Sequence, residues 1–157
     1  MKYFDDIKVG TRLELGSHTF EAEEIKKFAR KYDPQVFHTD EEAAARSHFG
    51  KLVASGWHTA AVGMRLTVDA TRAEAEAQRA RGEPDARRGP SPGVRDVRWL
   101  KPVFVGDTIS YATEVVELRE VPRPGWGLMV TKSYGTNQHG EVVYSVQGAV
   151  FVERRPK

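Results

Sequence analysis

The chain has 157 residues, a length that fits one domain with a core of its own. Its formal net charge is +2, from 24 Lys and Arg residues against 22 Asp and Glu residues. This balance argues against nucleic-acid binding, which needs a concentrated basic face. The lack of cysteine excludes disulfides, thiolate catalysis and cysteine metal sites. We expect a cytoplasmic protein without membrane contact, because no segment approaches the roughly 20 apolar residues of a membrane helix.

The first part of the chain is predicted to form a strand and then a helix. Alternating apolar residues indicate a strand over residues 12–19. An apolar face at helical spacing then predicts a helix from residue 21 or 22 to Tyr32. Pro34 ends this helix, because its ring disfavours the α conformation of the residue before it.

A second, shorter helix is predicted over residues 41–46. Thr39 and Glu42 have the spacing of a capping box, in which each side chain bonds the other residue's backbone N–H. We therefore expect Thr39 to cap this helix.

The clearest helical pattern begins at Ser55 and continues to Arg72. Its apolar residues recur at the spacing of one helix face, which predicts that the first half is buried. These residues are Trp57, Ala60, Ala61, Met64 and Val68. The charged, alanine-rich stretch over residues 72–81 is predicted to be a solvated extension of the same helix.

The remainder of the chain is predicted to be a loop and four strands. Residues 81–93, RGEPDARRGPSPG, carry turn formers without apolar periodicity and indicate a flexible loop. Period-two patterns then predict strands over residues 94–100, 108–118, 127–136 and 141–153. The phase break at Val115 and Val116 indicates a β-bulge. One long helix and short strand connections predict a single α+β domain over residues 1–157, with an antiparallel sheet wrapped around that helix.

Residues 33–38, DPQVFH, contain the first candidate for chemistry. A turn there can point the Asp33 carboxylate and the His38 imidazole into one cleft. Such a pair suits the addition of water to an activated double bond, in which water loses a proton as its oxygen attacks. The alternative is that Asp33 is only a helix-terminal turn residue and His38 only a surface loop residue, and the residues alone favour this alternative.

The second candidate lies at the start of the long helix, at Ser55 and Gly56. Unpaired N–H groups at a helix start can polarise a thioester carbonyl and stabilise the enolate formed when a nucleophile adds. The alternative is that Ser55 only caps the helix and Gly56 only permits close packing. We predict no metal site, because His18, His48 and His139 have no partner at metal-ligand spacing.

These features resemble the MaoC-like dehydratases, which include the (R)-specific enoyl-CoA hydratases and have the hot-dog fold. Their motif is Asp-x-Asn-Pro-x-His; Asp33 and His38 match its two catalytic positions, and Gln35 and Val36 replace Asn-Pro. The resemblance continues through residues 52–56, LVASG, and 100–108, LKPVFVGDT. The matching segments therefore occur in the same order as in the family and extend over nearly the whole chain.

The resemblance implies a site and an activity. Asp33 and His38 would hold and activate water, and the Gly56 N–H, with Ser55 beside it, would bind the thioester oxygen. The reaction would convert a trans-2-enoyl-CoA to an (R)-3-hydroxyacyl-CoA, or the reverse, with no cofactor beyond the CoA of the substrate. Met64 stands where some hydratases have a serine in the pocket.

The resemblance also implies a homodimer or higher homo-oligomer that binds an acyl-CoA. Two other functions stay open for such a domain. One is a hot-dog acyl-CoA thioesterase, and the other is an acyl-CoA-binding domain without catalysis.

Overall fold

A computed structural model describes residues 2–83 and 85–156 of the chain. Five antiparallel strands form one sheet, in the order β1-β3-β4-β5-β2, and one long helix packs against it. The helices are α1 (Ala22–Tyr32), α2 (Val36–Thr39), α3 (Glu41–Arg46) and α4 (Gly56–Ala80), and the strands are β1 (Arg12–Thr19), β2 (Gly93–Trp99), β3 (Thr108–Glu120), β4 (Trp126–Thr136) and β5 (Val142–Glu153). The prediction of an α+β fold with an antiparallel sheet around one long helix is confirmed.

Small residues let α4 approach the sheet closely. A Cβ atom on Gly63 would lie 3.0 Å from the ring of Tyr111, which is almost fully buried in β3. The Tyr111 hydroxyl donates a hydrogen bond of 2.9 Å to the carbonyl oxygen of Thr59. The first turns of α4 are thus fixed in position against the sheet.

The β-bulge predicted from the sequence is confirmed. The register between β3 and β4 shifts between Val115 and Glu117, so that Val116 is the extra residue. A bulge increases the local twist of the sheet, which helps the strands curve around the helix.

The predicted burial of the apolar stripe on α4 is wrong for most of its residues; only Ala60 is half-buried and packs against the core. Trp57 is 59% exposed, Met64 60% and Val68 38%. The buried residues in this half of the helix are instead His58, Thr59 and Gly63. Trp57 and Thr59 are two positions apart, and residues at this separation point about 200° apart around a helix. The exposed stripe therefore lies almost opposite the face that contacts the sheet.

The predicted cap of α3 is also wrong. The side chain of Asp40, not Thr39, accepts a hydrogen bond of 2.8 Å from the N–H of Ala43. Thr39 lies inside α2, a single helical turn where the sequence indicated only a turn, and its hydroxyl donates to the Gln35 carbonyl oxygen at 3.3 Å. Asp40 is the residue directly before α3 and has the extended backbone that an N-cap requires.

The segment predicted as a flexible loop is partly attached to the sheet. The Gly89 N–H donates to the Phe151 carbonyl oxygen at 2.8 Å, and the Glu153 N–H donates to the Arg87 carbonyl oxygen at 3.1 Å. The Arg87 guanidinium also donates to the Glu153 carboxylate at 2.6 and 2.9 Å. The chain therefore joins the edge of β5 before β2 begins.

No helix within residues 2–83 and 85–156 combines the length and apolar character needed to cross a membrane.

Candidate active site

The turn after α1 brings Asp33 and His38 side by side. The Asp33 N–H ends α1 by donating to the Ala29 carbonyl oxygen at 2.8 Å, and the single turn of α2 then carries His38 back toward it. His38 Nε2 lies 3.4 Å from Asp33 Oδ2. The His38 side chain is buried, so the interpretation of it as a surface residue is not supported.

The hydrogen bond to the backbone decides which nitrogen of His38 carries the proton. His38 Nδ1 lies 2.7 Å from the carbonyl oxygen of Val53, and a carbonyl oxygen only accepts. Nδ1 therefore donates, and in the neutral ring Nε2 is left with a free lone pair. This basic nitrogen faces the Asp33 carboxylate.

Two neighbouring side chains hold the Asp33 carboxylate. The Gln35 amide donates to Oδ1 at 2.8 Å, and the Ser55 hydroxyl donates to Oδ2 at 2.7 Å. Burial raises the pKa of Asp33, but these two hydrogen bonds and the nearby His38 lower it, and the net shift is downward. Asp33 is therefore an ionised carboxylate at neutral pH.

Ser55 caps α4, one of the two roles that the sequence allowed, and it also has a contact that the sequence did not predict. Its hydroxyl donates to Asp33 and also accepts a hydrogen bond of 3.2 Å from the N–H of Trp57, which caps α4. The role of Gln35 was not predicted. Its position in the motif could have predicted this role. Gln35 stands where the motif has asparagine, and both side chains carry an amide that can donate a hydrogen bond.

Gly56 is the first residue of α4, and within residues 2–83 and 85–156 no group accepts a hydrogen bond from its N–H. It lines the same cavity as Asp33 and His38, with a volume of about 420 Å³. Most of the remaining wall is apolar, including Phe37, Phe49, Trp57, Trp99, Leu100 and Val103. The structure thus places an imidazole, a carboxylate and an unpaired backbone N–H around one largely apolar cavity.

Two other histidines form a separate cluster beside α1. His18 Nε2 lies 2.8 Å from one oxygen of Glu24, and His58 Nε2 lies 3.4 Å from the other. Phe28 stacks on the His58 ring, with centroids 4.5 Å apart. Burial lowers the pKa of His58 although Glu24 acts in the opposite direction. In the part of the chain that the structure describes, no three His, Asp or Glu side chains are grouped to hold a metal ion.

The family model described as "MaoC like domain" matches residues 6–128. The chain belongs to this family. Like other MaoC-like proteins, it has the hot-dog fold. It is similar in structure to the MaoC-like dehydratase from Rhodospirillum rubrum, with a TM-score of 0.81, 36% identity and coverage of 100% of both chains.

The chain is also similar to two proteins that are named as hydratases. The (R)-hydratase from A. caviae superposes with a TM-score of 0.65 and 24% identity, covering 96% of this chain and 98% of that one, which shows a shared fold. A mesaconyl-CoA hydratase from Cereibacter sphaeroides is 40% identical over 63 residues. That match covers 40% of this chain and only 18% of the relative.

Proposed function

We propose that the protein is a hydro-lyase that adds water to a trans-2-enoyl-CoA to give an (R)-3-hydroxyacyl-CoA, or catalyses the reverse reaction. The main support is the position of the His38 Nε2 lone pair, beside the Asp33 carboxylate and in the same cavity as the free N–H of Gly56. The names of the hydratases that it resembles support the same reaction class.

The proposed hydration uses His38 first as a base and then as an acid. A water molecule bound between His38 Nε2 and Asp33 Oδ2 attacks the β-carbon of the substrate, and Nε2 takes the proton that the water loses. The π electrons move onto the thioester oxygen, and the Gly56 N–H stabilises the resulting enolate. The imidazolium then gives a proton to the α-carbon, which restores the neutral ring and completes the addition of water.

Asp33 acts in this scheme as a fixed negative charge. Both of its oxygens already accept hydrogen bonds from protein donors, and its lowered pKa disfavours protonation. It orients the water and stabilises the imidazolium that forms beside it. The protein needs no cofactor for these steps, because the CoA that activates the acyl chain belongs to the substrate.

The proposal is tested by measuring hydration of crotonyl-CoA by the wild type and by the variants Asp33→Asn and His38→Ala. Each variant should lose at least about 100-fold in kcat/KM, the usual contribution of a positioned acid or base. His139→Ala, which changes an exposed histidine in the turn between β4 and β5, is the matched control and should keep full activity. Full activity in both site variants would contradict the mechanism, and release of free thiol without loss of the double bond would instead indicate a thioesterase.

We also propose that the protein forms a homodimer or higher homo-oligomer. The outer edge of β2 has no neighbouring strand among the described residues, and Val94 on that strand is 61% exposed. The exposed apolar stripe on α4, defined by Trp57, Ala61, Met64 and Val68, gives a second surface that association would cover. Sedimentation equilibrium would contradict the proposal if it returned the mass of one chain at micromolar concentration.

A further inference from the structure

The indole ring of Trp99 lies directly against Gly56. A Cβ atom built on Gly56 would lie 2.5 Å from Trp99 Nε1 and 2.6 Å from Cδ1 and Cε2. Since a Cα–Cβ bond is about 1.5 Å long, the indole nitrogen is within about 4 Å of the Gly56 Cα atom. Because the Gly56 nitrogen is bonded to that Cα atom, the two N–H groups lie within about 5.5 Å of each other, and both residues line the cavity.

The indole N–H has no acceptor in the described parts of the chain. A substrate bound in the cavity would remove this N–H from water, and a tryptophan N–H that is removed from water usually finds a hydrogen-bond partner. Trp99 is half exposed and lines the cavity, so a bound molecule can supply that partner. The Gly56 N–H beside it is unpaired in the same way.

The ring is held in place from two sides. Trp57 packs edge-to-face on Trp99, with centroids 4.9 Å apart and an interplanar angle of 74°. The backbone of Trp99 pairs with Tyr144 in β5, and the next N–H, of Leu100, donates to the Val143 carbonyl oxygen at 2.8 Å. A donor held in this way needs little reorganisation when charge develops nearby.

We propose that Trp99 is a catalytic residue whose indole N–H is the second donor to the thioester oxygen, alongside the Gly56 N–H. This inference rests on the proposed hydratase function. The thioester oxygen has two lone pairs, and one backbone donor satisfies only one of them. Negative charge moves onto this oxygen as the enolate forms, so a second donor stabilises the transition state more than the bound substrate.

The same contact explains why residue 56 is glycine. Any side chain there would occupy the space of the indole ring and displace its nitrogen. The glycine thus allows the second donor to approach, in addition to leaving its own N–H accessible.

The test compares two substitutions of Trp99 for hydration of crotonyl-CoA. Trp99→Phe removes the N–H and part of the ring, whereas replacement of Trp99 by 3-benzothienylalanine keeps the bicyclic shape and has sulfur in place of N–H. Both should lower kcat by about 100-fold, as is typical for loss of one oxyanion donor, with little change in KM. Trp126→Phe is the matched control, because this tryptophan lies at the start of β4 and does not line the cavity, and it should stay within about 3-fold of the wild type.

A spectroscopic measurement separates hydrogen bonding from shape. The absorbance of 4-(dimethylamino)cinnamoyl-CoA shifts to longer wavelength when donors polarise its carbonyl, so both Trp99 substitutions should bind this thioester with a smaller red shift than the wild type. Retention of kcat and red shift by the benzothienyl variant would overturn the inference, since shape alone would then suffice. If the wild type hydrates no enoyl-CoA, the proposed function fails; if the wild type is active and both Trp99 substitutions match it, only this inference fails.

Discussion

Replacing Ser55 by alanine should remove two interactions at once. The hydroxyl caps α4 through the Trp57 N–H and donates to the Asp33 carboxylate. Loss of an N-cap costs about 1 kcal/mol, and loss of a hydrogen bond to a charged group costs about 1.5–3 kcal/mol. We therefore expect Ser55→Ala to lower the free energy of unfolding by about 2.5–4 kcal/mol.

A double-mutant cycle separates the two contributions. In an Asp33→Ala background only the cap is left to lose, so Ser55→Ala should then cost about 1 kcal/mol. The coupling energy between the two positions should be about 1.5–3 kcal/mol, measured by urea unfolding at pH 7. Ser55→Thr, which keeps the hydroxyl, is the control and should preserve most of this coupling. A coupling energy below about 0.5 kcal/mol would refute the shared role of the hydroxyl.

Three other substitutions test separate contacts. Gly56→Ala should displace Trp99 and lower kcat/KM by about 100-fold in the crotonyl-CoA assay; an unchanged rate would contradict the tight contact. Gly127→Ala would place its Cβ 2.4–2.5 Å from the buried ring of Phe4 and should cost about 1–3 kcal/mol in thermal unfolding, whereas Gly148→Ala, whose Cβ would meet only Thr131 Oγ1 at 3.8 Å, should be nearly neutral. Burial lowers the pKa of His58 in the folded state, so its contribution to stability is present above the unfolded pKa of about 6.5 and is lost as pH falls below it. His58→Gln should therefore make stability less dependent on pH between 7 and 5, and an unchanged pH profile would rule out this histidine as the cause.

The elements of the fold could be predicted because each has a local signal. Period-two patterns marked the strands, and Pro34 marked the end of α1. The burial of α4 could not be predicted from its hydrophobic pattern, because the helix approaches the sheet through small residues such as Gly63 while its apolar stripe is exposed. The pairing of Arg87 with Glu153 was equally hidden, since the two residues are 66 positions apart and carry no local pattern.

The candidate site was predictable as residue types and spacing but not as a network. The sequence indicated Asp33, His38, Ser55 and Gly56. In the structure three of them line one cavity, and Ser55 donates a hydrogen bond to Asp33. It could not show that Ser55 donates to Asp33 from 22 positions away, because that contact depends on how α1 and α4 pack. The proximity of Trp99 to Gly56 depends on the tertiary fold in the same way.

The double use of the Ser55 hydroxyl limits how this protein can change over evolution. A substitution that removes the hydroxyl at position 55 alters both the first turn of the central helix and the pKa of the Asp33 carboxyl, so neither property can change alone. Among close relatives, positions 33 and 55 should therefore be replaced together or not at all.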